Sequence, residues 1–264
     1  MIHQIKLKNG IGLEVLDQGE GEVVLLIHGL GSNKADWDLQ KNSFSEEYRI
    51  LAPDLRGHGN STKPQNKDAY GIPQIAEDMK LLLQELGIEH CMVVGFSMGG
   101  AIAFEMAVTY KNLITKMVIV NTAPDFDQLG NMGQEMITER TAMLQEQGIS
   151  PLAHKIAESM FPEKNQGDLR NIFYHRLNNN AVFPYYHSFI TLMEWGIGDK
   201  IKEIEIPVLV VASDMDYTPV SLKKAYTQKM PNARLEVVKN SRHGVTMDQP
   251  QKFNQILLNF FNYE

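Results

Sequence analysis

The sequence predicts an α/β fold built on a mostly parallel, doubly wound sheet, with a helical insertion in its second half. Short continuous runs of β-branched residues and leucine recur along the chain, as expected for strands covered by helices on both faces. Segments with apolar residues at helical spacing separate these runs. Strands and helices that alternate in this way form parallel sheets through right-handed crossovers.

The predicted strands begin with a hairpin and continue as buried runs. Apolar and polar residues alternate on both sides of Asn9-Gly10, a dipeptide that favours a tight hairpin turn. The later strands are continuous apolar runs, except for the last, which alternates. They are predicted at residues 23–27, 48–52, 92–94, 117–120, 208–211 and 234–239.

Three helices of the core have clear sequence signals. Pro73 opens the first and Gly87 ends it, with an apolar stripe between them. The second begins at Met98, and its alanines allow it to lie close to the sheet. The last covers about residues 249–261. The first two occupy crossover positions between strands, as a parallel sheet requires.

Residues 125–200 break the alternation of strands and helices. They contain several apolar stripes at helical spacing and no convincing strand. Ser150-Pro151 predicts the start of one helix, with serine as the N-cap and proline in the first turn. The core is therefore expected at residues 1–124 and 201–264, with residues 125–200 inserted into it as a helical segment.

Composition excludes several function classes. The 25 basic and 32 acidic side chains give a net charge of −7 without a basic block, which argues against a nucleic-acid partner. The sequence contains no long apolar stretch, so we expect neither a signal peptide nor a membrane span. A single cysteine, Cys91, excludes an intrachain disulfide and favours a cytoplasmic location. No Cys/His cluster has zinc spacing, so no metal is expected.

Gly95-Phe96-Ser97-Met98-Gly99 matches the pattern G-x-S-x-G. The pattern alone is weak, but here a buried strand runs into it and a helix of small residues leaves it. Such a sharp turn holds its central residue in a strained conformation with the side chain projecting, and the flanking glycines avoid Cβ clashes. Ser97 is therefore predicted to be a nucleophile.

A serine hydroxyl needs a base to become nucleophilic. Of eight histidines, His243 is favoured because it follows the last strand and so lies at the carboxyl edge of the sheet, as Ser97 does. Two aspartates, Asp214 and Asp216, follow the strand at 208–211 and could orient this imidazole. Asp216 is preferred because it stands further into the loop. Replacing either aspartate with asparagine is expected to leave the protein folded.

His28-Gly29-Leu30-Gly31 follows the strand at 23–27 at the same edge. A glycine-lined loop in this position can direct a backbone N–H towards an oxyanion. The amides of Leu30 and Met98 are therefore predicted to form an oxyanion hole, and Met98 also lies at a helix N-terminus. His28 is expected to hold the loop through a side-chain hydrogen bond and not to transfer protons.

Together these motifs resemble those of the α/β-hydrolase superfamily, in particular its small bacterial-type esterases, enol-lactonases and cofactor-free haloperoxidases. The resemblance implies the α/β-hydrolase fold with residues 125–200 as a helical cap over the pocket. The order Ser97, Asp216, His243 along the chain is the one this fold uses. Ser213 stands where such families usually carry glycine before the acid. The motifs lie in residues 28–31, 54–61, 95–100 and 214–216 and at His243.

The resemblance implies hydrolysis of a small-molecule carboxylic ester or lactone through an acyl-enzyme on Ser97, without a cofactor. Haloperoxidase (perhydrolase) activity and carbon–carbon bond hydrolysis on the same triad are alternatives, and a ligand receptor or signalling module with little turnover is one from another class. Residues of the cap are candidates to contact substrate and indicate an aliphatic or aromatic acyl group, although they could equally only pack the cap on the core. These candidates are Met136, Met160, Phe161 and Phe189.

Overall fold

A computed structural model describes residues 1–262 and contains a single eight-stranded sheet in the order β1-β2-β4-β3-β5-β6-β7-β8. Strand β2 pairs antiparallel with β1 in a hairpin and antiparallel with β4 on its other side. All other pairings in the sheet are parallel. The strands are β1 Ile2–Lys6, β2 Gly12–Gln18, β3 Val23–Ile27, β4 Arg49–Pro53, β5 Cys91–Phe96, β6 Ile114–Val120, β7 Val208–Ser213 and β8 Ala233–Val238. The predicted mostly parallel α/β sheet is confirmed.

Helices cover both faces of this sheet. Adjacent strand residues alternate between the two cores, so that Leu25 packs on one face and Leu26 on the other. The helices are α1 Lys41–Phe44, α2 Ile72–Glu85, α3 Met98–Thr109, α4 Gly130–Gln147, α5 Ile149–Met160, α6 Gly167–Asn178, α7 Val182–Met193, α8 Val220–Thr227, α9 Val245–Asp248 and α10 Pro250–Phe261. None of the helices within residues 1–262 is long and apolar enough to cross a membrane.

The strand order brings two loops together at the carboxyl edge. Strand β3 pairs with β4 on one side and with β5 on the other, so the chain changes direction of winding at β3. In open α/β sheets, a crevice forms at such a point because the loops after the two central strands leave in opposite directions. The loop after β3 therefore faces the turn after β5, which carries Ser97.

Helices α4 to α7 lie between β6 and β7. Within residues 125–200 the only β-type pairing is an isolated bridge between Asp125 and Gly196. The predicted N-cap at Ser150 is wrong by two residues, because Gly148 ends α4 with a positive φ of 79° and itself precedes α5, which begins at Ile149. Pro151 then lies in the first turn of α5, where its missing N–H costs no helical hydrogen bond.

Candidate active site

The turn after β5 holds Ser97 in a strained conformation, with φ 53° and ψ −117°. Non-glycine residues rarely adopt positive φ, and holding one there costs on the order of 1–3 kcal/mol. A Cβ on Gly95 would lie 2.3 Å from the Gly99 carbonyl oxygen, and one on Gly99 would lie 2.1 Å from the carbonyl oxygen of Ile27. Only glycine therefore fits at positions 95 and 99, two residues before and two residues after Ser97, because the strand and helix backbones meet there.

The loop after β3 packs directly against this turn. A Cβ on Gly29 would lie 3.3 Å from the Ser97 Cβ. His28 is fully buried, with Nδ1–H donating to the Gly29 carbonyl at 2.8 Å and Nε2 accepting from the Leu55 amide at 3.0 Å. Burial lowers the pKa of His28, and the neutral imidazole fits both bonds. His28 thus holds the loop, as expected.

The amides of Leu30 and Met98 belong to the two segments that meet here. Met98 is the first residue of α3, so no preceding helical carbonyl accepts its N–H. Within residues 1–262 neither amide donates a hydrogen bond to another residue. Ser97 and Leu30 line the same cavity. Both amides therefore lack a partner among the described residues, and they belong to the two segments that meet at Ser97.

His243 lines that cavity from the loop after β8. Its Nδ1 lies 2.5 Å from Oδ1 of Asp216. The imidazole lies between two aromatic rings, with centroid distances of 5.1 Å to Phe96 and 4.6 Å to Tyr217. Because an ionised carboxylate only accepts hydrogen bonds, Nδ1 carries the hydrogen and the lone pair is on Nε2.

The second oxygen of Asp216 is held by a lysine with no exposed surface. Lys223 Nζ donates to Asp216 Oδ2 at 2.6 Å and to the carbonyl and hydroxyl oxygens of Thr218 at 2.8 and 2.6 Å. These three bonds use all three hydrogens of an ammonium group. Burial by itself raises the pKa of Asp216, but His243 and Lys223 outweigh this and hold it well below its usual value. Asp216 is therefore an ionised, fully bonded carboxylate.

Asp214 forms no hydrogen bond or ion pair with His243 within residues 1–262. It is exposed, and its Oδ1 accepts from the backbone amide of Ser241 at 3.2 Å. This contact joins the loops after β7 and β8. Of the two aspartates that the sequence offers, the structure thus places Asp216 on the imidazole and Asp214 in the supporting turn.

Two more polar side chains fix the position of the His243 loop. Asn121 has a φ of 45° and donates from Nδ2 to the His243 carbonyl and to Ser213 Oγ, both at 2.8 Å. Asp248 accepts from Ser241 Oγ at 2.9 Å and from the Arg242 amide at 3.2 Å. The loop is therefore tied to the ends of β6 and β7 and to α9.

The half-buried carboxyl of Asp248 makes stability depend on pH. Burial raises its pKa from 3.8 to about 6, against the opposing hydrogen bonds from Ser241 and Arg242. Since the folded-state pKa is the higher one, the native protein binds more protons than the unfolded chain between these values, and stability falls as the pH rises through this window. We expect Asp248→Asn to remove this dependence. In thermal melts, the Tm of the variant minus the Tm of the wild type should therefore increase from pH 4 to pH 7. Parallel Tm curves for the two proteins would contradict it, and Asp214→Asn is the control.

The cavity beside Ser97 is lined mainly by apolar side chains, as small-molecule sites usually are. Of the four candidate contact residues, Met136, Met160 and Phe189 line it. Phe161 does not, which corrects the expectation. It follows the end of α5 with a φ of −133°, and its ring packs where a Cβ on Gly244 would lie. Phe161 therefore supports the His243 loop from behind.

Several residues that shape this site have no signal in the sequence. Lys223 looks like an ordinary surface lysine, because only the fold shows that its side of α8 faces Asp216. Asn121 follows a strand without any motif, and Arg140 lies on a helix with mixed polarity. Tyr185 and Tyr217 line the cavity, and Tyr217 is next to the acid in the sequence. Only the last has a sequence signal, namely its position beside Asp216.

Comparison with known proteins gives consistent results. A family model described as alpha/beta hydrolase fold matches residues 22–250. A 3-oxoadipate enol-lactonase from Acinetobacter baylyi is 27% identical, over 90% of this chain and 87% of that protein. An esterase from Exiguobacterium antarcticum superposes with a TM-score of 0.85 at 24% identity, over the whole of both chains. A bromoperoxidase from Bacillus anthracis does so with a TM-score of 0.91 at 22% identity, again over both whole chains. The chain belongs to the α/β-hydrolase fold family.

Proposed function

We propose that this protein is a serine hydrolase that cleaves a small carboxylic ester or lactone, with Ser97 as nucleophile, His243 as base and Asp216 as orienting acid. The observation that carries the proposal is the 2.5 Å bond between His243 Nδ1 and Asp216 in the cavity that strained Ser97 also lines. Family membership supports hydrolysis, and the enol-lactonase and esterase among its relatives agree with an ester-like substrate.

The first half of the reaction forms an acyl-enzyme. The Ser97 oxygen attacks the carbonyl carbon while His243 Nε2 takes the hydroxyl proton. The negative charge that develops on the carbonyl oxygen is stabilised by the amides of Leu30 and Met98, reinforced by the N-terminus of α3. The proton then passes from His243 to the leaving alcohol oxygen as the carbon–oxygen bond breaks.

The second half repeats this chemistry with water. His243 takes a proton from a water molecule, the hydroxide adds to the acyl carbon, and the same two amides hold the oxyanion. Collapse of this intermediate returns the proton to Ser97 and releases the acid. Asp216 keeps its charge throughout and stabilises the imidazolium, and Lys223 and Thr218 prevent the carboxylate from rotating.

Residues 125–200 are proposed to act as a cap that sets substrate size. Helices α4, α5 and α7 provide the methionine and aromatic walls of the cavity, among them Met136, Met160 and Phe189. An adaptable apolar wall favours medium-length aliphatic or aromatic acyl groups over acetyl and over sugars.

Two measurements on the purified wild type test this proposal. We expect hydrolysis of p-nitrophenyl esters with kcat/KM increasing from acetyl to hexanoyl, because each buried methylene contributes about 0.8 kcal/mol. A fluorophosphonate should label Ser97 stoichiometrically, as located by peptide mass spectrometry. Labelling without turnover of any ester or lactone would instead favour the receptor alternative. A preference for acetyl over every longer chain would contradict the apolar acyl pocket.

A further inference from the structure

An arginine on α4 lies among the apolar walls of the cavity. Arg140 lines the same space as Ser97 and His243, and its guanidinium carbon is 5.0 Å from the centre of the Phe189 ring. Burial raises the pKa of the fully buried Tyr185 hydroxyl, and the nearby Arg140 guanidinium opposes this rise. The two aromatic residues belong to α7, so Arg140 is held in place from the neighbouring helix.

The charge of Arg140 has no counter-ion. Within residues 1–262 it forms no ion pair, and its neighbour Glu139 pairs with Lys155 instead. Among the described residues lining the cavity, Asp216 is the one carboxylate, and Lys223 and His243 already occupy it. The cavity therefore presents one fixed positive charge that nothing in the described chain balances.

We propose that Arg140 binds a carboxylate carried by the substrate, separate from the ester or lactone group that reacts at Ser97. This inference rests on the proposed function and names the substrate class as anionic esters or lactones. A guanidinium has five N–H donors in a planar fork, which is enough to bind a carboxylate through two parallel hydrogen bonds. The chain carries a net charge of −7, which gives an anion no general attraction. A preference for anions must then come from this residue.

Matched substrate pairs separate this role from general esterase activity. On the acyl side, p-nitrophenyl hexanoate is compared with the mono-p-nitrophenyl ester of adipic acid, which has the same chain length and a terminal carboxylate. On the alcohol side, phenyl acetate is compared with 4-acetoxybenzoate. We expect the wild type to prefer the anionic member of at least one pair by tenfold or more in kcat/KM.

Substitutions of Arg140 then identify the source of the preference. Arg140→Met should lower kcat/KM for the preferred anionic ester by about 10- to 100-fold, the range for a hydrogen bond to a charged group, and change the neutral ester by less than about threefold. Arg140→Lys should give an intermediate value, because it keeps the charge without the planar fork. Lys155→Met is the control, because it removes one exposed charge from α5 outside the cavity. It should leave kcat/KM unchanged for both the anionic and the neutral ester.

A binding measurement keeps this proposal independent of turnover. Calorimetry on Ser97→Ala should show tighter binding of monomethyl adipate than of methyl hexanoate, and Arg140→Met should abolish the difference. If that difference is found but no ester is turned over, the carboxylate site stands and the hydrolase proposal fails. An equal loss for neutral and anionic esters in Arg140→Met would mean that Arg140 only joins α4 to α7. That result, or a wild type that prefers the neutral ester of both pairs, overturns the proposal.

Discussion

Replacing Ser97 with alanine is expected to lower kcat by about 10⁶-fold, the loss seen when the nucleophile of a Ser-His-Asp triad is removed. The residual rate should still exceed that of the uncatalysed reaction by roughly 10³–10⁴-fold, because the oxyanion donors and the cavity remain. The measurement is the steady-state kcat of the variant with the best p-nitrophenyl ester. The variant should also form no adduct with a fluorophosphonate. Activity above about one thousandth of the wild type would mean that another group attacks the carbonyl.

The backbone at Ser97 provides the control for folding. With φ at 53° and ψ at −117°, any side chain at this position is strained, and glycine is not. We therefore expect Ser97→Gly to be as inactive as Ser97→Ala but more stable. Its free energy of unfolding should be higher by up to about 1–3 kcal/mol, and its Tm should be higher accordingly. An inactive alanine variant that melts with the wild type then reflects lost chemistry and not a lost fold.

Replacing Asp216 with asparagine is expected to lower kcat by about 10⁴-fold, because the amide can donate to Nδ1 and so favours the unproductive imidazole tautomer. Asp214→Asn is the matched control from the same loop. Its side chain is exposed and, among residues 1–262, accepts a hydrogen bond from the Ser241 amide alone, so a loss of tenfold or less is expected. If Asp214→Asn were the inactive variant and Asp216→Asn the active one, the acid would be wrongly assigned.

Asp216→Asn should also lower stability, an effect that sequence analysis alone does not predict. Asp216→Asn leaves the fully buried Lys223 ammonium without its counter-ion, and breaking a buried pair in this way costs about 3–5 kcal/mol. Asp216→Asn/Lys223→Met should restore most of the lost Tm because no buried charge remains, yet it should stay inactive. Recovery of activity in the double variant would show that Asp216→Asn fails through misfolding and not through its effect on His243.

The local signals of the sequence were sufficient for the turn around Ser97. The strand run before it, the small residues after it and the glycines beside it describe one continuous piece of chain, and its strain follows from local backbone geometry. Long-range pairing is different, because it joins residues that are far apart in the chain. The Asp216–Lys223 pair spans only seven residues, but which side of α8 is buried depends on how that helix packs on the sheet.

The sequence by itself determined the mostly parallel sheet, its helical crossovers and the segments that carry Ser97, Asp216 and His243, because periodicity and turn residues are properties of short stretches of chain. Only the tertiary structure decided that Asp216 and not Asp214 contacts His243 and that Phe161 lies behind the His243 loop. It also decided that Arg140 enters the cavity with no counter-ion in the described part of the chain. These facts depend on side-chain direction, within a helix for Arg140 and just after a strand or helix for the other two. A difference of one or two residues there reverses the direction, and packing against distant elements selects among the possibilities.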